Sequence, residues 1–207
     1  MYKKINYKIY LLILFLFSSG LFIFNSSLAE DKVKDSSIIF GKENAPVKIK
    51  VFSSLTCPHC ANFHINVFPK IKEKYINNGT VQVSHIDFPL DLASLNAGKL
   101  LHCIGDEKKQ VKILEKIYQN QNTWTSGEQI NDINKNLISL FNEFEKNTSK
   151  LNTCLNNEDI EEIILENRIE AQKKYKLEAT PTIIINEKKF EGDVSFKNID
   201  KFIEKLI

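Results

Sequence analysis

The stretch "PVKIKVFSSLTCPHCANFHINVF" at residues 46–68 changes its hydrophobic period in the middle. Val47, Ile49 and Val51 alternate with Lys48 and Lys50, which is the period of a half-buried strand, and Ser53 and Ser54 end the run. From Cys57 onward Ala61, His64, Val67, Phe68, Ile71 and Tyr75 recur at helical spacing as far as Asn77. Two thiols, Cys57 and Cys60, therefore sit where a strand feeds the N-terminus of a helix. Pro58 suits the first helical turn, where a missing N–H costs nothing. Pro69 lies inside the periodic run and should kink it.

Working outward, "TVQVSHIDF" at 80–88 reads as a second strand, so strand, helix and strand make one right-handed βαβ unit. Residues 92–156 contain no convincing strand. Their Leu, Ile and Phe spacings suggest three or four helices, broken near Gly105, around "NTWTSGE" and at "KNTSK". A further helix is expected from about Asn157, with Glu158 and Asp159 favourable at its start. "ATPTIIINEKKFEGD" at 179–193 then reads as two short strands about a turn, and Ser195 to Ile207 as a closing amphipathic helix. This order gives an α/β, thioredoxin-like fold with a helical insertion between the βαβ unit and the C-terminal ββα unit.

The N-terminus bears on the compartment. Lys3, Lys4 and Lys8 precede the apolar run Leu11 to Phe24, and Ser27 and Ala29 are the small residues a signal peptidase requires. We expect a signal peptide over 1–29, cleaved after Ala29, a flexible leader over 30–37 and the domain over 38–207. The apolar run is short for a membrane span, which needs about 20 residues. Of 28 basic residues three lie in 1–29, where no acid does, so 25 face 26 acidic ones in the remainder, a formal charge of −1. That balance recruits no nucleic acid.

An exported compartment oxidises thiols, which moves disulfide chemistry ahead of zinc for Cys57, Cys60, Cys103 and Cys154. Structural zinc normally takes two closely spaced ligand pairs. Here Cys103 and Cys154 are isolated, His59 lies inside the short loop, and His64 is a turn further on, so no metal or other cofactor is expected. A purely structural Cys57–Cys60 link would close too small a loop to add much stability. The reactive reading has a mechanism: the helix N-terminus stabilises a thiolate on Cys57, and Cys60, one turn in, is the resolving thiol. His59 can add positive charge or a donor beside the sulfur. Stabilising the thiolate stabilises the reduced protein and so makes its disulfide a stronger oxidant.

"VFSSLTCPHCANF", "HIDFPLD", "LLHCIGD", "LNTCLNN" and "EATPTIIIN" together resemble the DsbA-like thiol:disulfide oxidoreductases of alphaproteobacterial type. The resemblance covers nearly the whole expected domain. It implies a periplasmic dithiol oxidase in which Cys57 forms the mixed disulfide with a substrate protein, Cys60 resolves it, and a cis Pro181 sets Thr180 beside the sulfurs to bind an extended substrate segment. It also implies reduced exported proteins as substrates, a membrane thiol oxidase as reoxidant, and a monomer. Cys103 and Cys154 would form a structural disulfide in or beside the insertion; two buried free thiols are the alternative.

Two residues depart from the pattern. Val51 stands where many relatives carry a buried Glu, leaving Lys50 or water to carry protons. Asn186-Glu187 replaces the usual Asn-Gly turn, which suggests a looser hairpin. His85 and His102 read as packed or surface residues, and Trp124 as core. The competing functions are a disulfide isomerase or reductase, and a non-redox peptide-binding chaperone.

Overall fold

The computed structural model describes residues 36–207; the signal peptide expected over 1–29 lies outside them. Five strands, β1 (Ser37–Phe40), β2 (Val47–Ser53), β3 (Val81–Asp87), β4 (Thr182–Ile185) and β5 (Lys188–Lys189), form one sheet in the order β1-β3-β2-β4-β5. β2 and β3 are parallel, as the βαβ reading requires, and the other pairs are antiparallel. β1 was not legible as a strand, because four residues are too few to display a period. Its role is tertiary: it covers the outer edge of β3, pairing Ser37–Phe40 with Ile86–Val83.

Among the described residues eight helices surround the sheet. α1 covers residues 58–76 in alternating α and π turns, with π turns at Phe63–Val67 and Lys72–Ile76. Pro69 explains the first wide turn: it has no N–H to return to the preceding turn, so Phe68 donates back to Phe63 in a longer loop. The insertion holds α2 (Leu92–Cys103), α3 (Glu107–Gln119), the single turn α4 (Gln121–Trp124), α5 (Ile130–Phe141) and α6 (Thr148–Leu155). α7 (Glu158–Tyr175) starts on an Asn157 side chain that accepts from Ile160 N, and α8 (Phe196–Ile203) closes the chain.

The strand period of two decides what each face of the sheet does. Val47, Ile49 and Val51 join the main core beneath α1, α3 and α8, while Phe52, Ile86 and Ile184 turn the other way, toward Ala171 of α7 and Leu177. Burying one such side chain contributes about 1.5–3 kcal/mol, so both layers are needed to hold a sheet this narrow.

The hairpin between β4 and β5 is tighter than expected. Asn186 and Glu187 both take positive φ, 44° and 66°. Asn186 replaces the missing ladder by accepting at Oδ1 from Lys48 N (2.8 Å) and donating its own N–H to Lys48 O (2.9 Å). Glu187 is anchored by Lys50 (2.6 Å), Lys174 (2.8 Å) and the Tyr175 hydroxyl (2.7 Å). These contacts hold a left-handed backbone that a non-glycine residue otherwise resists.

Candidate active site

Cys57 is the N-cap of α1, with extended φ and ψ of −78° and 122°, and Pro58 follows at the first helical position. The two thiols are free. Cys57 is largely buried, 9% exposed, and Cys60 is fully buried. Pro58 and His59 are exposed between them. Cys57 Sγ lies 3.3 Å from the carbonyl oxygen of Thr180, the residue that precedes cis Pro181. The loop after β2 and the start of β4 thus meet over 123 residues of chain.

The two sulfurs differ in acidity. The Cys60 thiol, hydrogen-bonding to the Cys57 sulfur, is the largest cause that holds Cys57 down at about 5. Burial opposes it, while Thr180 and the backbone N–H groups of Cys60 and His59 act with it. His59 therefore contributes through its backbone, and its imidazole stands exposed. Burial and the neighbouring Cys57 sulfur push Cys60 far up, against the Ser54 N–H.

The loop that carries the thiols is gripped by the insertion, a role not legible in the sequence. Gln121 of α4 donates from Nε2 to the carbonyls of Leu55 (2.8 Å) and Cys57 (3.1 Å). Ser94 of α2 accepts at Oγ from Leu55 N (2.9 Å) and from the Ser54 hydroxyl (3.0 Å). Thr56 Oγ1 donates to Asp91 at 2.7 Å, and Asp91 also caps α2. Each is a polar residue far along the chain with no local motif, so only the packing of α2 and α4 against the loop assigns them.

Cys103 and Cys154 are joined, linking the end of α2 to α6 with Cα atoms 5.8 Å apart. Trp124 is 1% exposed and donates Nε1 to Ile117 O. Val51 is fully buried, and its register partner on β3 is His85. Lys50 points to the opposite face, where its ammonium meets Glu187 and the Tyr175 hydroxyl. It cannot stand in for an acid beneath the thiols. Beside them instead lies a group of His64, His85, Asp87, His102 and Tyr118, whose histidines stand singly in the sequence and whose Asp87 and Tyr118 carry no local mark.

A thioredoxin family model matches residues 33–205. A Bacillus cereus relative that carries the name disulfide bond formation protein D is 31% identical over 173 residues, 80% of this chain and 76% of its own length. A Rickettsia prowazekii relative with a protein-disulfide oxidoreductase name is 26% identical over 176 residues, 85% of this chain, and the chain spans only 63% of that relative's length. The crystal structure of Wolbachia pipientis alpha-DsbA1 is similar at 29% identity with a TM-score of 0.75, over 82% of this chain and 90% of that one. With a five-stranded thioredoxin-like sheet, a strand-to-helix dithiol and these relatives, the chain belongs to the DsbA-like family of thioredoxin-fold proteins.

Proposed function

We propose that the protein is an exported thiol:disulfide oxidoreductase that works in the oxidase direction, introducing disulfide bonds into other exported proteins. The observation that carries this reading is the unequal setting of the two thiols: Cys57 at a helix start, where the Cys60 thiol and backbone N–H groups hold it at about 5, and Cys60 fully buried. A stabilised Cys57 thiolate favours the reduced protein, and so its disulfide pulls electrons from substrates.

The chemistry takes two steps. A substrate thiolate attacks Cys57 Sγ of the Cys57–Cys60 disulfide; the Cys57–Cys60 bond breaks, a Cys57–substrate bond forms, and Cys60 leaves and takes up a proton. A second substrate thiolate then attacks the substrate sulfur of that bond. Cys57 leaves as the stabilised thiolate, the substrate has lost two electrons, and the CPHC pair has gained them. Attack by Cys60 on the mixed disulfide reverses the first step and frees a substrate that has no second thiol in reach. The Thr180 backbone, beside Cys57 Sγ, would hold an extended substrate segment during attack. Export directed by residues 1–29 would bring the protein to the periplasm, where reduced exported proteins are its substrates and a membrane thiol oxidase would accept the electrons.

Two assays run side by side test the direction. Oxidised protein should restore activity to a reduced, unfolded disulfide-containing enzyme, and reduced protein should precipitate insulin slowly. Fast insulin reduction with no oxidative refolding would instead assign a reductase. In Cys60→Ala the Cys57 thiolate should attack disulfides of oxidised substrate proteins, releasing one substrate thiolate and trapping a mixed disulfide on Cys57, visible as high-mass bands that vanish with reductant, with Cys57→Ser as the blank.

A further inference from the structure

The site described above uses two sulfurs and a carbonyl, yet five ionisable side chains are packed underneath it. Val51, Ser53, His85 and Asp87 share one face of the β2–β3 pair, because Val51 is in register with His85 and Ser53 with Asp87. Against that face α1 sets His64, one turn beyond Cys60, and α3 sets Tyr118, whose ring stacks on His64 at 4.3 Å and 9°. His64 Nε2 and His85 Nδ1 are hydrogen-bonded at 3.2 Å. His85 Nε2 faces Asp87 Oδ1 at 3.4 Å without hydrogen-bond alignment, and Asp87 Oδ2 takes His102 Nε2 of α2 at 2.6 Å. Gly98 lets α2 approach this carboxylate: a Cβ there would stand 3.2 Å from Asp87 Oδ2.

The result is a row, His64–His85–Asp87–His102, hydrogen-bonded at its two outer links and in 3.4 Å contact at the middle one, in which the two middle groups are buried and both ends are partly exposed. His85 is 0% and Asp87 3% exposed. His64 and Tyr118 line a surface groove with Ile65, Phe68 and Leu114. Four buried atoms of this group, Ser53 Oγ, His85 Nε2, Asp87 Oδ1 and Tyr118 Oη, have no hydrogen-bond partner among the described residues. Leaving one such atom unpaired costs about 1–3 kcal/mol, so four together are a feature that packing alone would remove. Of the other charges around the row, Lys99 of α2 meets Glu161, Arg168 of α7 lies over the Phe88 ring, and Lys72, Glu73 and Glu115 line the groove at His64, with Lys72 and Glu115 3.8 Å apart.

We propose that this row is the proton path of Cys60, with His85 and His64 exchanging the thiol proton, Asp87 steadying the imidazolium, and the groove at His64 exchanging it with solvent. The proposal rests on the redox reading above. When a substrate displaces Cys60, the leaving thiolate is in a place that penalises charge, and it takes a proton from the row. When Cys60 attacks a mixed disulfide, the same proton returns to the row while the substrate sulfur leaves and is protonated by water. Electrostatics fits these roles. Burial and His85 hold His64 well down and therefore neutral. Burial raises Asp87, but the hydrogen bond from His102 and the facing His85 outweigh it and keep the carboxylate ionised. Burial raises Tyr118 far up, and the largest charge effect on it comes from Cys60, which places the phenol near that thiol.

The test uses the mature protein carrying glutathione on Cys57. Release of glutathione by Cys60 is followed between pH 6 and 8 in wild type, His85→Gln and, as a variant at the partly exposed end, His64→Gln. Wild type should change less than about threefold across the range. The variants should be about 10–100-fold slower at pH 6 and should gain about tenfold per pH unit, because hydroxide must then take the proton. Alkylation of Cys57 by iodoacetamide in the reduced variants should stay within about twofold of wild type, which separates a lost proton path from a damaged fold. Wild-type rates and a flat profile in both variants would overturn the proposal. A wild type that neither takes up nor releases glutathione would instead overturn the redox reading on which it rests.

Discussion

Cys57–Cys60 and Cys103–Cys154 are two cysteine pairs of one chain, set apart by where their backbones lie. Cys57 and Cys60 are a single helical turn apart, with the outer sulfur at a helix start beside backbone N–H groups and the inner one buried. Cys103 and Cys154 come from the ends of two helices 51 residues apart, with Cys154 1% exposed and the bond set into the main core. The first pair has donors and an opening to solvent, which reactivity needs; the second has a long loop to close, which stability needs. Cysteine content alone says nothing of this division.

The comparison breaks most readily at Cys57. Cys57→Ser should abolish oxidative refolding, whereas the double variant Cys103→Ala/Cys154→Ala should keep it. A double variant as inactive as Cys57→Ser would mean that the second pair exchanges electrons with the first. The same double variant should lose about 2–4 kcal/mol of stability, near the chain-entropy value for so long a loop, as read from urea unfolding. Its Cys57 alkylation rate should stay within about twofold of wild type. The disulfide holds the far end of α2 from Ser94, and nine residues of helix separate them by about 14 Å.

A pH series sharpens the contrast. Cys57 titrates near 5 folded against 9.0 for a free thiol, a depressed value, so the reduced fold gains stability as pH rises from about 5 to 9. Cys60 is raised, so above about 9 it acts in the opposite direction. The gap between the urea midpoints of oxidised and reduced protein should therefore move in favour of the reduced form between pH 5 and 8. A constant gap would show that the Cys57 thiolate is not stabilised by the fold.

The smallest effect should come from His59→Ala. Because His59 reaches the sulfur through its backbone N–H, the variant should move the Cys57 midpoint, followed as thiolate absorbance at 240 nm, by less than about half a unit. A shift of a full unit would return the imidazole to the site.

What the sequence by itself determined was local: the change of period at Cys57, Pro58 at the first helical position, the break near Gly105, and the helix start at about Asn157 with Glu158 and Asp159 in its first turn. Each involves residues within a turn or two of one another, where chain geometry alone fixes neighbours. Tertiary structure decided everything that joins distant segments. It placed the Thr180 carbonyl over Cys57 and put Gln121 and Ser94 on the active-site loop. It held Glu187 in a turn that its residue type disfavours, through Lys50, Lys174 and Tyr175. It also turned isolated histidines at 64, 85 and 102 into one row with Asp87. A histidine read alone carries no record of what faces it, because the partner is chosen by strand register and helix packing across tens of residues. The sheet period of two sends Lys50 to one face and Val51 to the other, and only the folded sheet shows that the face beneath Cys60 is the one that holds the histidines.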